Sequence, residues 1–285
     1  MTAGGIWRAS VKVVYDWMDD RAMSMGAAIA FYTIFSLAPT LLLVIGVAGL
    51  VFGEEAARGA LFGELEELVG PESAVAMQAM VAEAGRFGRG ATAALIGIAA
   101  LLIGATTVFA ELKDALNRIW RIEPPPISSV EWLVRTRVAG LSLIVSIGFL
   151  LLVSLVVSTL LTAFGDWLAA VAPGYDILLR VINMAVSIGV VTALFAMIFR
   201  FLPDARLPWR DVALGAFVTA VLFTIGKYLI GLYIGTAGIA SGYGAAGTFV
   251  VILIWVYYSA QIVLFGAEII KSWLDRKSDR GKPAS

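Results

Sequence analysis

Six long apolar runs divide the chain, at about residues 27–52, 91–110, 138–163, 177–201, 211–235 and 246–270. A helix needs about 20 predominantly apolar residues to cross the hydrocarbon core, and each run meets that length. Ionisable residues within the runs are isolated or close to the ends. The pattern predicts an all-α polytopic membrane protein with six transmembrane helices. The first run is too long for the core of a signal peptide and follows Arg8, Lys12 and Arg21. It is therefore expected to remain as a span.

Between the runs the pattern changes to amphipathic helices. In residues 7–18, Trp7, Val11, Val14, Tyr15 and Met18 share one face, as expected for a helix lying in the membrane interface. Residues 111–122 place Leu112, Ala115, Leu116 and Ile119 together before Pro124, Pro125 and Pro126 end the helix. Residues 54–89 predict an external helical hairpin broken at Gly70-Pro71. Leu61, Leu65 and Leu68 face one way, opposite Glu64 and Glu67; Met77, Met80, Val81 and Ala84 form the second apolar face. Seven Glu against three Arg make this segment acidic, which suits a solvated outer face or, alternatively, a vestibule that attracts cations.

Composition agrees with the pattern. Of 285 residues 60% are hydrophobic and 15% charged, far from the balance of a soluble domain. Net charge is zero, so no basic excess points to nucleic acid as a partner. Without Cys or His, disulfides, thiolate metal sites and the commonest general base are excluded, and neither a cofactor nor a metal is expected. Sixteen Lys and Arg flank the runs on the side of the two termini, and four (Arg58, Arg86, Arg89, Arg180) lie on the other. Both termini are therefore expected in the cytoplasm.

GYGAAG at 242–247 matches a dinucleotide-binding fingerprint by letter, but it precedes a membrane run instead of following a strand. It reads as a Gly-rich turn. Asp16, Asp19 and Asp20 could share a helix edge and hold Mg²⁺, but beside Lys12 and Arg21 they read as a solvated face. The Gly231–Gly235 pair would allow two helices to approach closely.

Polar groups inside spans are costly in lipid and mark candidate sites. Lys227 and Asn183 fall at similar depth in the outer half of the fifth and fourth spans, with Arg180 a turn further out. They could line an outward polar pocket; equally, Lys227 could snorkel or button helices together. Tyr257, Tyr258, Gln261 and Glu268 share a broad face of the sixth span. Glu268 is too close to the cytoplasmic end to pair with Lys227, so Lys271 or the 111–121 segment is its expected partner. In the first span, Thr33, Ser36 and Thr40 share a face beside Pro39, which leaves the Phe35 carbonyl without its helical donor. That face should point into the bundle, with a kink near residue 36 opening a polar notch towards the fourth to sixth spans. The candidate cavity set is therefore Thr33, Ser36, Pro39, Thr40, Asn183, Lys227, Tyr258, Gln261 and Glu268.

RAMSMGAAIAFYTIFSLAPTLLLVIG (21–46), FLPDARLPWRDVALGA (201–216) and GTFVVILIWVYYSAQIVLFGAEI (247–269) resemble the YihY/BrkB family of bacterial inner-membrane proteins. The likeness covers essentially the whole chain. Its matching positions are Ala30, Ser36, Pro39, Pro203, Trp209, Lys227, Trp255, Tyr257, Gly266, Ala267 and Glu268. The resemblance implies an integral protein of the bacterial inner membrane but assigns none of these positions a role. Members are associated with serum resistance and with lipid or lipopolysaccharide traffic, and a former ribonuclease BN label is a misassignment.

Composition, pattern and resemblance lead first to a transporter-like or lipid-handling protein, with membrane lipids as partners and a lipid or small amphipathic substrate in a cavity lined by the first, fourth, fifth and sixth spans. Three spans in each half would allow halves of inverted topology. The second reading is an envelope scaffold that binds a partner through Leu61, Leu65, Met77 and Met80 of the hairpin. An enzyme, which would need a carboxylate or Lys mechanism, ranks last.

Overall fold

The computed structural model describes residues 3–69, 71–84, 91–123, 131–132, 134–150, 176–205, 207–236 and 247–281. Among the described residues, the architecture is carried by α1 (Ala3–Asp19), α2 (Ala22–Phe52), α3 (Glu54–Val69), α4 (Pro71–Ala84), α5 (Ala91–Ile119), α6 (134–150), α7 (Asp176–Phe201), α8 (Trp209–Thr236) and α9 (Gly247–Gly281). Among the described residues there is no strand.

Four described helices are long and apolar enough to cross a membrane: Ala22–Leu50, Met184–Phe201, Trp209–Tyr233 and Phe249–Arg276. They coincide with the first, fourth, fifth and sixth runs. The second run lies within α5, whose first side chains fall outside the described residues. Only the first half of the third run, in α6, is described. The predicted amphipathic segment 111–122 is not a separate interfacial helix. It continues α5 without a break, burying Leu112, Ala115, Leu116 and Ile119 in the bundle.

Local chemistry sets the ends of these helices. Gly53, at φ 85°, ends α2 and donates its N–H to the Gly49 carbonyl over 3.0 Å. Pro71 opens α4, where its missing N–H costs nothing. At the end of α5, Ile122 N–H reaches the Asn117 carbonyl (2.9 Å) and Arg121 N–H reaches Arg118 (3.1 Å). This pair of bonds usually recruits Gly at the left-handed position, yet here Arg121 occupies it at φ 55°. Arg21, between α1 and α2, has the same φ of 55°.

α9 is the hub of the bundle, packing against α1, α2, α4, α5 and α8. The outer faces stay apolar and exposed, with Leu50, Phe149, Tyr228 and Leu232 all more than half accessible, as a lipid-facing surface requires. The α8–α9 seam is close-packed through small residues. An added Cβ at Gly266 would lie 2.0 Å from Thr219 Oγ1, and one at Gly215 would lie 2.1 Å from Ile270 Cγ1. The Tyr258 hydroxyl rests where a Cβ on Gly226 would be. Gly231, by contrast, has nothing within 4 Å of such a Cβ, so the sequence motif at 231–235 does not mark the seam.

The hairpin of α3 and α4 folds over α2, and α4 also reaches α9. Leu61, Met77 and Val81 are buried there together with Ala57, Phe62 and Ala74. Glu64, expected on the opposite solvated side, is buried too. On α1, Val14, Tyr15 and Met18 are exposed as an outward apolar stripe, while Val13 is buried on the side towards the bundle. That arrangement suits a helix lying at a membrane surface.

Two side chains, Trp120 and Arg137, tie the α5 region to its neighbours. Trp120 Nε1 donates to the Ala267 carbonyl (3.2 Å), and its ring meets Phe199 edge-on. Arg137 donates to the Ile103 carbonyl (2.9 Å) and to the hydroxyls of Thr106 (2.8 Å) and Thr107 (3.0 Å). Trp120→Phe keeps an aromatic ring but removes this indole donor, and is expected to cost about 1 kcal/mol. Thermal unfolding in detergent measures it.

Candidate functional site

The charged groups that the fold brings together lie at the end of the bundle where α1 stops, α2 starts and α5 turns beside α9. Asp20 follows the last turn of α1, and the left-handed backbone at Arg21 redirects the chain into α2. Its carboxylate is only 3% exposed and receives two cations: Lys271 Nζ at 2.8 Å from α9 and the Arg121 guanidinium at 2.6 Å from the turn after α5. Burial pushes the Asp20 carboxyl up. The hydrogen bond from Lys271, with the charges of Lys271 and Arg121 and the neighbouring Glu268 carboxyl, outweighs burial and holds it below the usual carboxylate range.

Glu268 lies one turn before Lys271 on α9 and has no exposed surface. Lys271 Nζ is 3.3 Å from its Oε2, but neither carboxylate oxygen accepts a well-aligned hydrogen bond. One ammonium thus stands between two buried carboxyls and is better placed for Asp20. Asp16, by contrast, pairs with Lys12 along the exposed side of α1. The reading of Asp16, Asp19 and Asp20 as one solvated face therefore fails for Asp20. α1 ends at Asp19, so the backbone turn, not the helix edge, aims the Asp20 side chain inward.

Beside this cluster, the linker between α7 and α8 is clamped to α5. Lys113, 3% exposed, places Nζ 3.0 Å from Asp204 Oδ1. Asn117 Nδ2 donates to Asp204 Oδ2 (2.9 Å), and its Oδ1 accepts the Asp204 N–H (3.0 Å). Burial raises the neighbouring Asp114 carboxyl; Lys113 draws it down and Asp204 pushes it up, leaving it above the ordinary value. Arg200 donates to the Leu207 carbonyl and lies over the Trp209 ring, closing the linker from the α7 side.

Among the described residues, the sequence-derived set is spread over several helix contacts. On α2 the three hydroxyls turn back onto their own helix: Thr33 to Ile29 (2.7 Å), Ser36 to Thr33 (3.1 Å) and Thr40 to Ser36 (2.6 Å). The helix runs continuously through Pro39. A Cβ added at Gly104 of α5 would lie 3.2 Å from the Pro39 ring, so Pro39 packs on α5. Gln261 Nε2 approaches the Ala22 carbonyl at 3.4 Å and fills the space over Gly26, which joins α9 to the start of α2. Tyr258 belongs to the α8 seam at Gly226.

Lys227, next along from Gly226, places Nζ 5.5 Å from the centre of the exposed Tyr228 ring. Ten residues of α9, about 15 Å, separate the Gly226 level from Glu268, so Lys227 and Glu268 occupy different depths. The Asn183 side chain lies outside the described residues. Asp204 was not among the candidates, Asp20 was read as solvated, and Lys113, Asn117 and Arg121 entered only within the 111–121 segment named as a partner for Glu268. The available signal was the position of each acid at the border of an apolar run. Among the described residues, no group of three carboxylates could hold a metal ion.

Comparison with known proteins places this arrangement in a family. Relatives described as UPF0761 membrane proteins include one from Pseudomonas paraeruginosa, 26% identical over 90% of this chain and 61% of its own length. One from Stenotrophomonas maltophilia is 26% identical over 90% of this chain and 58% of its own. One from an Enterobacter species is 31% identical over 61% of this chain and 57% of its own. The chain thus spans about three fifths of the length of the relatives it matches. No solved structure matches it. The family profile described as virulence factor BrkB matches residues 13–285, and this membrane protein belongs to that family.

Proposed function

We propose that this protein is a transporter-like membrane protein that moves or handles a lipid or another amphipathic envelope component between helices α2, α7, α8 and α9. We read the chain as six spans in the bacterial inner membrane, with both termini and the Asp20–Glu268 cluster at the cytoplasmic side. The observation that carries the reading is Glu268: a carboxyl without exposed surface, on the most buried of the four apolar helices, lacking a well-formed hydrogen bond. An apolar residue there would pack at lower cost, so an ionisable one points to function. The virulence description of the family fits a role in the cell envelope. No bond is made or broken in this role.

The scaffold reading needs Leu61 and Met77 available to a partner. Both are buried beneath the hairpin, which removes its basis at those positions.

In proteoliposomes carrying a fluorescent phospholipid or a lipopolysaccharide precursor, the parent protein is expected to speed transfer between leaflets. Glu268→Ala is expected to lower that rate at least about tenfold while the protein remains folded. Equal rates in protein-free, parent and variant vesicles would remove the proposal.

A further inference from the structure

We propose that Glu268 is a proton-binding site whose charge state controls a lock joining the cytoplasmic ends of α1/α2, α5 and α9 through Asp20. This rests on the transporter reading for its purpose; the chemistry follows from the cluster itself.

The lock is visible as a three-way junction. Asp20, between α1 and α2, holds Arg121 after α5 at 2.6 Å and Lys271 of α9 at 2.8 Å. Two of its backbone positions, Arg21 and Arg121, sit at φ 55° without being Gly. Such positions persist only where the surroundings hold them. The Asp20 contacts supply that constraint, so their loss would let both turns relax.

Glu268 decides how firmly Asp20 is held. The charged groups that face it are Lys12 from α1, Asp20 from the turn and Lys271 on its own helix. Arg121 acts through Asp20, and Asp275 acts through Lys12. The nearest seam residues of α8, Gly215 and Thr219, are uncharged, as is Trp120 of the α5 turn. With Glu268 ionised, two buried carboxylates share Lys271, and neither Glu268 oxygen accepts a hydrogen bond. Arg121, Lys271, Asp20 and Glu268 then sum to zero charge. Taking one proton from water turns Glu268 into a neutral O–H donor to Asp20 and leaves the cluster at +1. Asp20 now keeps Lys271 to itself and gains a third donor, so the junction closes. Asp20 stays ionised because its own cations hold its proton affinity down. Releasing the proton restores the competition and loosens the junction.

The chain contains no Cys, which makes the test direct. Ala22, at 0% exposure beside the junction, is replaced by Cys; Met18→Cys on the exposed side of α1 is the reference. Full-length protein in nanodiscs is treated with a water-soluble maleimide from about pH 5 to about pH 9. Relative to the reference, Ala22→Cys labelling is expected to rise about tenfold with pH. With Glu268→Gln, which keeps the donor to Asp20 but cannot ionise, labelling stays low and flat. With Asp20→Asn it is high at every pH. Arg121→Gln, at a side chain 64% exposed and so easily tolerated, also raises it throughout.

A flat parent profile, or the parent's rise surviving in Glu268→Gln, overturns the proposal. Labelling needs no substrate. A pH-controlled junction without lipid movement would therefore defeat the transport reading alone, and lipid movement with a flat profile would defeat the lock alone.

Discussion

Asp204→Ala is expected to lower stability by about 3 kcal/mol, because it strands a buried ammonium. Lys113 is 3% exposed and its described ionic partner is Asp204. The reverse change, Lys113→Met, leaves Asp204 with its two Asn117 bonds and a side chain 23% exposed to solvent. It fills the same volume with apolar atoms and is expected to cost only about 1 kcal/mol. The asymmetry is the informative part. Thermal unfolding of both variants in the same detergent reads it, and equal losses would show that the pair does not act as a buried ion pair. The clamp also fixes the α7–α8 linker, so Asp204→Ala should expose that segment to limited proteolysis.

Gly266→Ala is the second large effect. The new Cβ would lie 2.0 Å from Thr219 Oγ1 and 3.1 Å from Thr219 Cβ, so the hydroxyl must rotate away or the two helices must separate. Rotation breaks the 2.8 Å bond from Thr219 Oγ1 to the Gly215 carbonyl. The expected loss is about 2 kcal/mol. Thr219→Ala removes the clashing oxygen and should cost little by itself. Combined with Gly266→Ala it should recover about 1 kcal/mol relative to the sum of the two single changes. A strictly additive double variant would mean that the Thr219 hydroxyl and the new methyl do not meet in the seam.

The helical architecture was readable from apolar run lengths alone, because in lipid every backbone polar group must be satisfied within its own segment. The first, fourth and fifth runs correspond to helices within about five residues, and α9 continues beyond the sixth run to Gly281. Side-chain partners were far less legible. Glu268 was singled out correctly as a buried acid with Lys271 nearby, since the two are three residues apart on one helix. Its stronger neighbour, Asp20, was assigned to solvent because helix geometry was extended one residue too far; the left-handed Arg21 has no sequence signature comparable to Gly. The seam at Gly215, Gly226 and Gly266 was missed for another reason. These glycines are 11 and 40 residues apart in sequence and become neighbours of one interface only when α8 and α9 align. In the textual motif at 231–235, a Cβ added at Gly231 would meet nothing within 4 Å among the described residues. On α2, the Thr and Ser hydroxyls suggested an open notch, but a hydroxyl in an apolar helix satisfies itself most cheaply on the carbonyl a turn behind.

The glycine seam has a mechanical meaning. Where one helix carries side chains into the backbone hollows of another at three levels, axial sliding would have to lift Tyr258, Thr219 and Ile270 out of their seats together. α8 and α9 are therefore expected to move as a single stiff unit. A displacement imposed at the Lys271 end is carried along both helices to the far side of the bundle, and a reporter attached to either helix follows the movement of the pair.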